Sequence, residues 1–183
     1  MTKDNLTPQQ FKTLFLVNAI NVIAKNNKSE DVRYNCAGNI YFDSYVNDKE
    51  STIQLLKEIL ELEKLGYVKT TYTAEDLQND DKLRLRLNNT LKIKVLVSLS
   101  EIKNELQISD EELLKIVEDA WESDEIQELL DGKINKKDFL KAFEDFLEGN
   151  LVQDSVDIIS KIGIPAFLVL AGIFAAHYFI NKK

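Results

Sequence analysis

The chain carries one thiol, Cys36, and one imidazole, His177. Nucleophilic catalysis by a thiol or hydroxyl needs a base within hydrogen-bond reach, most often a histidine. His177 lies in a stretch without a single charged residue, and the remainder of the chain has no imidazole to offer. One cysteine rules out an intramolecular disulfide and argues against a cysteine-built zinc site; beside Ala37 and Gly38 it reads as a small packed residue. Carboxylates are plentiful, with pairs at Asp80-Asp81 and Asp124-Glu125, yet these pairs sit in charge-rich segments that favour solvent. Glycine-rich phosphate loops, HExxH and GxSxG do not occur. No catalytic residue, no cofactor and no enzymatic activity are expected.

The nearest thing to a metal motif is Asp131-Gly132-Lys133-Ile134 followed by Asp138-Phe139. It resembles the second half of an EF-hand loop, with glycine at the sharp turn and a carboxylate at the end. The first ligand positions of such a loop would fall on Gln127 and Leu129, and leucine has no oxygen to donate. The terminal ligand would be Asp138 in place of a bidentate glutamate. No calcium binding is expected, and Gly132 is read as a left-handed turn between two helices.

With side-chain chemistry so sparse, the longest physical signal lies at Ile162–Ile180, IGIPAFLVLAGIFAAHYFI. It holds no Asp, Glu, Lys or Arg, follows Lys161, and is closed by Asn181, Lys182 and Lys183. As a helix it would be ~28 Å long, matching the hydrocarbon core of a bilayer. Only a helix could sit there, because lipid satisfies no backbone N–H or C=O. Ile162, Ile164, Phe167, Leu168, Val169, Leu170, Ile173, Phe174, Phe179 and Ile180 would meet lipid. Gly172 and Ala176 form a small-xxx-small pair that permits close helix approach. The amino-terminal MTKDNLTPQQF lacks a basic stretch followed by an apolar run and a small-residue cleavage site. A tail anchor is therefore expected: single-pass, with the amino-terminal part in the cytoplasm. The lysines at 182 and 183 pull the other way under the positive-inside tendency, but moving a folded domain across costs far more than passing two lysines.

Charge divides the remainder. Residues 1–100 contain 14 Lys plus Arg against 13 Asp plus Glu, whereas residues 101–150 contain 6 against 16. An anionic membrane surface would repel the second block, so attachment is expected to come from the apolar segment alone.

The elements that would carry a binding surface lie in the first block. Thr7-Pro8-Gln9-Gln10 has the form of a capping box, opening a helix that is apolar on most sides, with Asn18 and Asn21 on a narrow polar strip. Residues 32–46, VRYNCAGNIYFDSYV, are rich in aromatic and β-branched types and broken by Ala37-Gly38-Asn39, so a short hairpin or irregular loop is expected. A helix follows from about Ser51 to Leu65, stopped by Gly66. Residues 66–72 read as a strand. Lys82-Leu83-Arg84-Leu85-Arg86-Leu87 alternates strictly, and Leu91-Lys92-Ile93-Lys94-Val95 resumes the alternation after a turn at Asn88-Asn89-Thr90. A period of two puts the leucines on one face and Lys82, Arg84, Arg86, Lys92 and Lys94 on the other, a basic sheet face.

Helices leading into Leu62-Glu63-Lys64-Leu65-Gly66-Tyr67-Val68 and then into strands resemble a winged helix over residues 7–95. The resemblance implies that the helix STIQLLKEILELEKL would be the recognition element. Its Glu58, Glu61 and Glu63 against Lys57 and Lys64 make it net negative, which phosphates repel. Nucleic acid is accordingly not the expected ligand, and a scaffold used for protein contacts is.

The acidic block reads as helical. Ser109-Asp110-Glu111-Glu112 is a second capping box, and Asn135 caps a helix with Phe139, Phe143, Phe146 and Leu147 at helical spacing. The expected class is α+β and mainly helical, with a small antiparallel sheet and a winged-helix-like amino-terminal part. The expected divisions are a mixed α/β domain at 1–100, an acidic helical region at 101–150, a juxtamembrane helix or linker at 151–161 and a transmembrane helix at 162–180. The expected partners are the lipid bilayer and a cytosolic protein, with membrane-tethered nucleic-acid binding, and a membrane-active helix that oligomerises or permeabilises, as the competing readings.

Overall fold

A computed structural model describes residues 6–25, 30–97, 134–148 and 152–158, together with single positions between 101 and 161. The apolar segment 162–180, with Gly172 and Ala176, lies outside the described residues, as do Asp131 and Leu129. Among the described residues, no helix is long and apolar enough to cross a membrane. The chain divides into two compact units, Met1–Leu96 and Val97–Lys183. The described part is mainly helical with one two-stranded antiparallel sheet.

In the first unit, helix α1 spans Pro8–Lys25. Its capping box is made as expected: the Gln10 N–H donates to Thr7 Oγ1 at 3.2 Å and the Thr7 N–H to Gln10 Oε1 at 2.9 Å. Phe11, Leu14, Phe15, Leu16, Val17, Ala19 and Ile20 are all buried, so α1 is the axis of the core. Its polar side chains are used as ties. Thr13 Oγ1 donates to Glu58 Oε2 at 2.7 Å, and Asn21 Nδ2 to the Ile93 carbonyl at 2.9 Å.

Residues 32–46 do not form a hairpin or loop. They lie in α2, Glu30–Asn47. Ala37, Tyr41 and Tyr45, spaced by four, are buried along one stripe, and that stripe overrides the β-propensity of the individual residues. Gly38 does not break the helix; it lets another element come close. A Cβ built there would lie 3.2 Å from the Leu87 carbonyl oxygen and 3.5 Å from that of Leu91.

Asp48 separates α2 from α3, Lys49–Lys64, and caps it by accepting from the Ser51 N–H at 3.1 Å. Thr52, Leu56, Ile59 and Leu62 face the core. The helix ends in a Schellman motif: Gly66 takes φ +82°, its N–H bonds the Glu63 carbonyl at 2.9 Å, and the Tyr67 N–H bonds that of Leu62 at 3.0 Å.

Strand β1, Val68–Thr70, pairs antiparallel with β2, Ile93–Val95, in the register Val68↔Val95, Lys69↔Lys94 and Thr70↔Ile93. Both strands lie within the segments read as strands from sequence. The ladder extends one step at each end, through Leu96 N–H to the Tyr67 carbonyl and Thr71 N–H to the Lys92 carbonyl. Thr70 N–H and the Ile93 carbonyl therefore point outward, and each is met by a side chain. Glu63 accepts from Thr70 N–H at 2.8 Å, and Asn21 donates to Ile93.

Between the strands, the segment read as a strand from its alternation is helix α4, Asp80–Asn89, preceded by a short 3-10 turn at Asp76–Gln78. The reason is local and tertiary together. Asn79 caps the helix through its side chain, which accepts from the Lys82 N–H at 3.0 Å, and Asp80 and Asp81 occupy the first turn, where the helix dipole favours anions. Leu83 and Leu87, four apart, are buried, while Leu85 stays 63% exposed. Asn88-Asn89-Thr90 therefore ends a helix; it does not join two strands.

Among the described residues, two buried polar side-chain atoms of this core have no hydrogen-bond partner, the Tyr41 hydroxyl and Asn21 Oδ1. Burial pushes the Tyr41 hydroxyl above its ordinary value near 10, and Tyr72, whose hydroxyl donates to the Leu56 carbonyl at 2.7 Å, is raised the same way. Both stay protonated in the fold while an unfolded tyrosine ionises above pH ~10, so stability falls as pH rises past that point. Replacing Tyr41 by phenylalanine deletes the unpaired hydroxyl and its desolvation cost. Urea denaturation at neutral pH should show Tyr41→Phe unchanged or more stable by about 1 kcal/mol, with a shallower alkaline decline.

In the second unit, the Ser109 box is made: Glu112 N–H donates to Ser109 Oγ at 3.2 Å and Ser109 N–H to Glu112 Oε2 at 2.9 Å. Gly132 takes φ +66°, the left-handed turn expected of it. Asn135 caps α5, Lys136–Glu148, by accepting from Asp138 N–H at 2.9 Å. Trp121, Phe139 and Phe143 form its aromatic core, with ring centroids 4.9 Å and 6.1 Å apart in turn.

Candidate binding surface

The five cations grouped from sequence do not share one sheet face. Lys82, Arg84 and Arg86 lie on α4, whereas Lys94 lies on β2 and Lys92 precedes it. A period of 3.6 sends successive cations to different sides of the helix, and two of them are engaged.

Arg84 Nε lies 3.2 Å from Asp80 Oδ2, one helical turn earlier, and Lys49 Nζ lies 2.8 Å from Asp80 Oδ1. The Tyr45 hydroxyl also donates to Asp80 Oδ1. Both cations stand 5.8 Å from the centre of the Tyr45 ring. Asp80 thus ties the end of α2, the start of α3 and the first turn of α4 at one half-exposed carboxylate. Such partly exposed pairs contribute modestly one by one, but the shared acceptor fixes three helices in register.

Arg86 Nε lies 3.5 Å from Asp76 Oδ2, and Asp76 is buried to 7% exposure. Asp76 also accepts from Thr73 N–H at 2.9 Å. The guanidinium compensates a carboxylate that has been taken out of water, a structural task. Lys82 is exposed and in no ion pair among the described residues.

The sheet offers a different arrangement. Lys69 and Lys94 are direct cross-strand partners, both exposed, and neither is in an ion pair among the described residues. Like charges directly opposite one another on a ladder destabilise it. Two residues from Lys94 on either side, and so on the same face, lie Lys92 and Leu96, the latter 51% exposed. The sequence grouping contained Lys92 and Lys94 but not Lys69. Pairing residues 66–72 with 91–95 would have found it, because antiparallel register then places the two lysines together.

A concave region lies on the second unit, a groove of about 610 Å³ lined by Glu118, Lys136, Lys137, Leu140, Lys141 and Glu144. Lys136 is committed there: its Nζ lies 3.0 Å from Glu122 and 3.5 Å from Glu118, and the Glu122 hydrogen bond, ahead of the Coulomb attraction, raises its pKa. Among the described residues, no group of three or more His, Cys, Asp or Glu side chains could hold a metal ion. Asp138, the one described carboxylate of the loop that resembles an EF-hand, accepts from Asn135 Nδ2 at 2.6 Å.

No known protein-family model, no curated protein and no solved structure matches the chain.

Proposed function

We propose that the chain is a single-pass membrane protein, held in the bilayer by residues 162–180, whose folded units serve as a protein-recruitment module on the cytoplasmic side. One observation carries this reading: nineteen consecutive residues without a formal charge, closed by Lys182 and Lys183. The element order supports a winged-helix-like scaffold in the first unit, since α1, α2 and α3 lead through Gly66-Tyr67-Val68 into an antiparallel pair. The wing of that scaffold would carry α4.

Two features favour protein over nucleic acid as the partner. The helix that a winged helix would insert into a groove, α3, is net negative and ties two of its glutamates to neighbours, Glu58 to Thr13 and Glu63 to Thr70. Two of the three arginines, Arg84 and Arg86, which could grip phosphate in bidentate fashion, are engaged by Asp80 and Asp76.

Deleting Pro165–Lys183 tests the anchor. The full chain should resist alkaline extraction from membranes, and the truncated chain should be soluble with a cooperative melt, because the buried clusters described above all lie upstream. A full chain that is soluble without detergent, with a truncated one that aggregates, would make the segment part of a core and end the proposal. Protease protection in sealed vesicles then reads the side on which the folded units lie.

A further inference from the structure

We infer that the exposed face of the β1–β2 sheet is a second membrane contact, binding the anionic head groups of a lipid surface through Lys69 and Lys94, with Leu96 entering the interface. The inference rests on the anchor proposed above, which brings that surface within reach of the first unit.

A two-stranded sheet gains little from its few hydrogen bonds, and placing lysines directly opposite each other weakens it further. A layer of negative charge lying over both ammonium groups reverses the sign of that interaction. Lysine suits such a ligand: its ammonium is a compact point charge on a flexible stem, which neutralises a diffuse anionic surface without demanding one orientation. Alternation places Tyr67 with Lys69, Thr71, Lys92, Lys94 and Leu96, but Tyr67 is buried, so bases of a single-stranded nucleic acid would find no exposed ring on this face on which to stack. Leu96, half exposed on the same face, is the apolar element that interfacial binding adds to charge. The face is open to solvent at Lys69, Lys94 and Leu96, all three exposed.

The acidic block at residues 101–150 is repelled by the same anionic surface. Screening confines its repulsion to about 10 Å at ordinary ionic strength. Each lysine near an anionic leaflet corresponds to roughly a fivefold shift in occupancy. A weak contact of this size matters only when the surface is already at hand, which a tether supplies.

The test is residue-resolved amine labelling of the full chain reconstituted into vesicles of phosphatidylcholine alone or mixed with phosphatidylserine. Labelling at Lys69 and Lys94 should fall about fivefold in the anionic vesicles and recover in high salt, with Lys57 and Lys82 unchanged. Leu96→Ser should reduce the protection, and a Lys69→Glu, Lys94→Glu double variant should remain embedded while Lys92, on the same face, loses its protection. Equal labelling in both vesicles overturns the inference while leaving the anchor intact. Extraction of the chain by alkaline wash overturns the anchor first, and is scored separately. Protection in neutral vesicles by added inorganic phosphate, polyglutamate or an oligonucleotide, with none from phosphatidylserine, assigns the face to a soluble anion and likewise overturns it.

Discussion

Leu87→Ala is expected to cost about 2–5 kcal/mol in urea denaturation, whereas Leu85→Ala, two positions away, costs almost nothing. Leu87 is 1% exposed and Leu85 is 63% exposed, because α4 turns by a hundred degrees per residue and carries them to different sides. Leu83→Ala, at 1% exposure, should behave like Leu87→Ala. A strand over the same six residues would bury all three leucines on one face, and the three substitutions would then cost alike. The series therefore reads the secondary structure directly from energetics. Similar losses at all three positions would return this segment to the sheet.

The second large effect is expected at Gly38. Valine there should lower stability by about 3 kcal/mol, since its branches must enter the space that α2 leaves for the Leu87 and Leu91 carbonyls. Alanine is the informative control. Its Cβ meets a backbone oxygen at 3.2 Å, which costs, but it also adds helix propensity worth about 1 kcal/mol relative to glycine. The two nearly cancel, so Gly38→Ala should denature within about 0.5 kcal/mol of the parent. If Gly38 instead sat in a turn at positive φ, both substitutions would be damaging. Among the described residues the positive-φ glycines are Gly66 and Gly132, and Gly38 is not one of them.

These two sites also mark where the chain is hard to read. Signals closed within one turn were legible: the boxes at Thr7 and Ser109, the glycine stop at Gly66 and the cap at Asn135 each join partners three to five residues apart, and the left-handed Gly132 is read from its residue type alone. What makes α2 and α4 helices is mutual. Gly38 reads as a breaker until Leu87 is known to pass beside it, and the Leu83-Leu85-Leu87 alternation mimics a strand because nothing in the sequence says that Leu85 is left outside. The signal that could have decided it, Asn79 ahead of Asp80-Asp81, is a cap with acidic residues in the first turn. The basic surface was misgrouped for the same reason. Arg84 and Arg86 meet Asp80 and Asp76 only once the segment coils, and Lys69 joins Lys94 only once the strands are paired.

Glu63 and Asn21 have a consequence for crowding. Proteins confined to a membrane plane meet one another far more often than in free solution, and an open sheet edge is a template on which a neighbour's strand can polymerise. Here the incoming strand finds Thr70 N–H held by a carboxylate and the Ile93 carbonyl held by an amide. If the proposed anchor holds the chain at such density, two side chains from neighbouring helices act as stoppers that keep its two-stranded sheet from seeding fibrils.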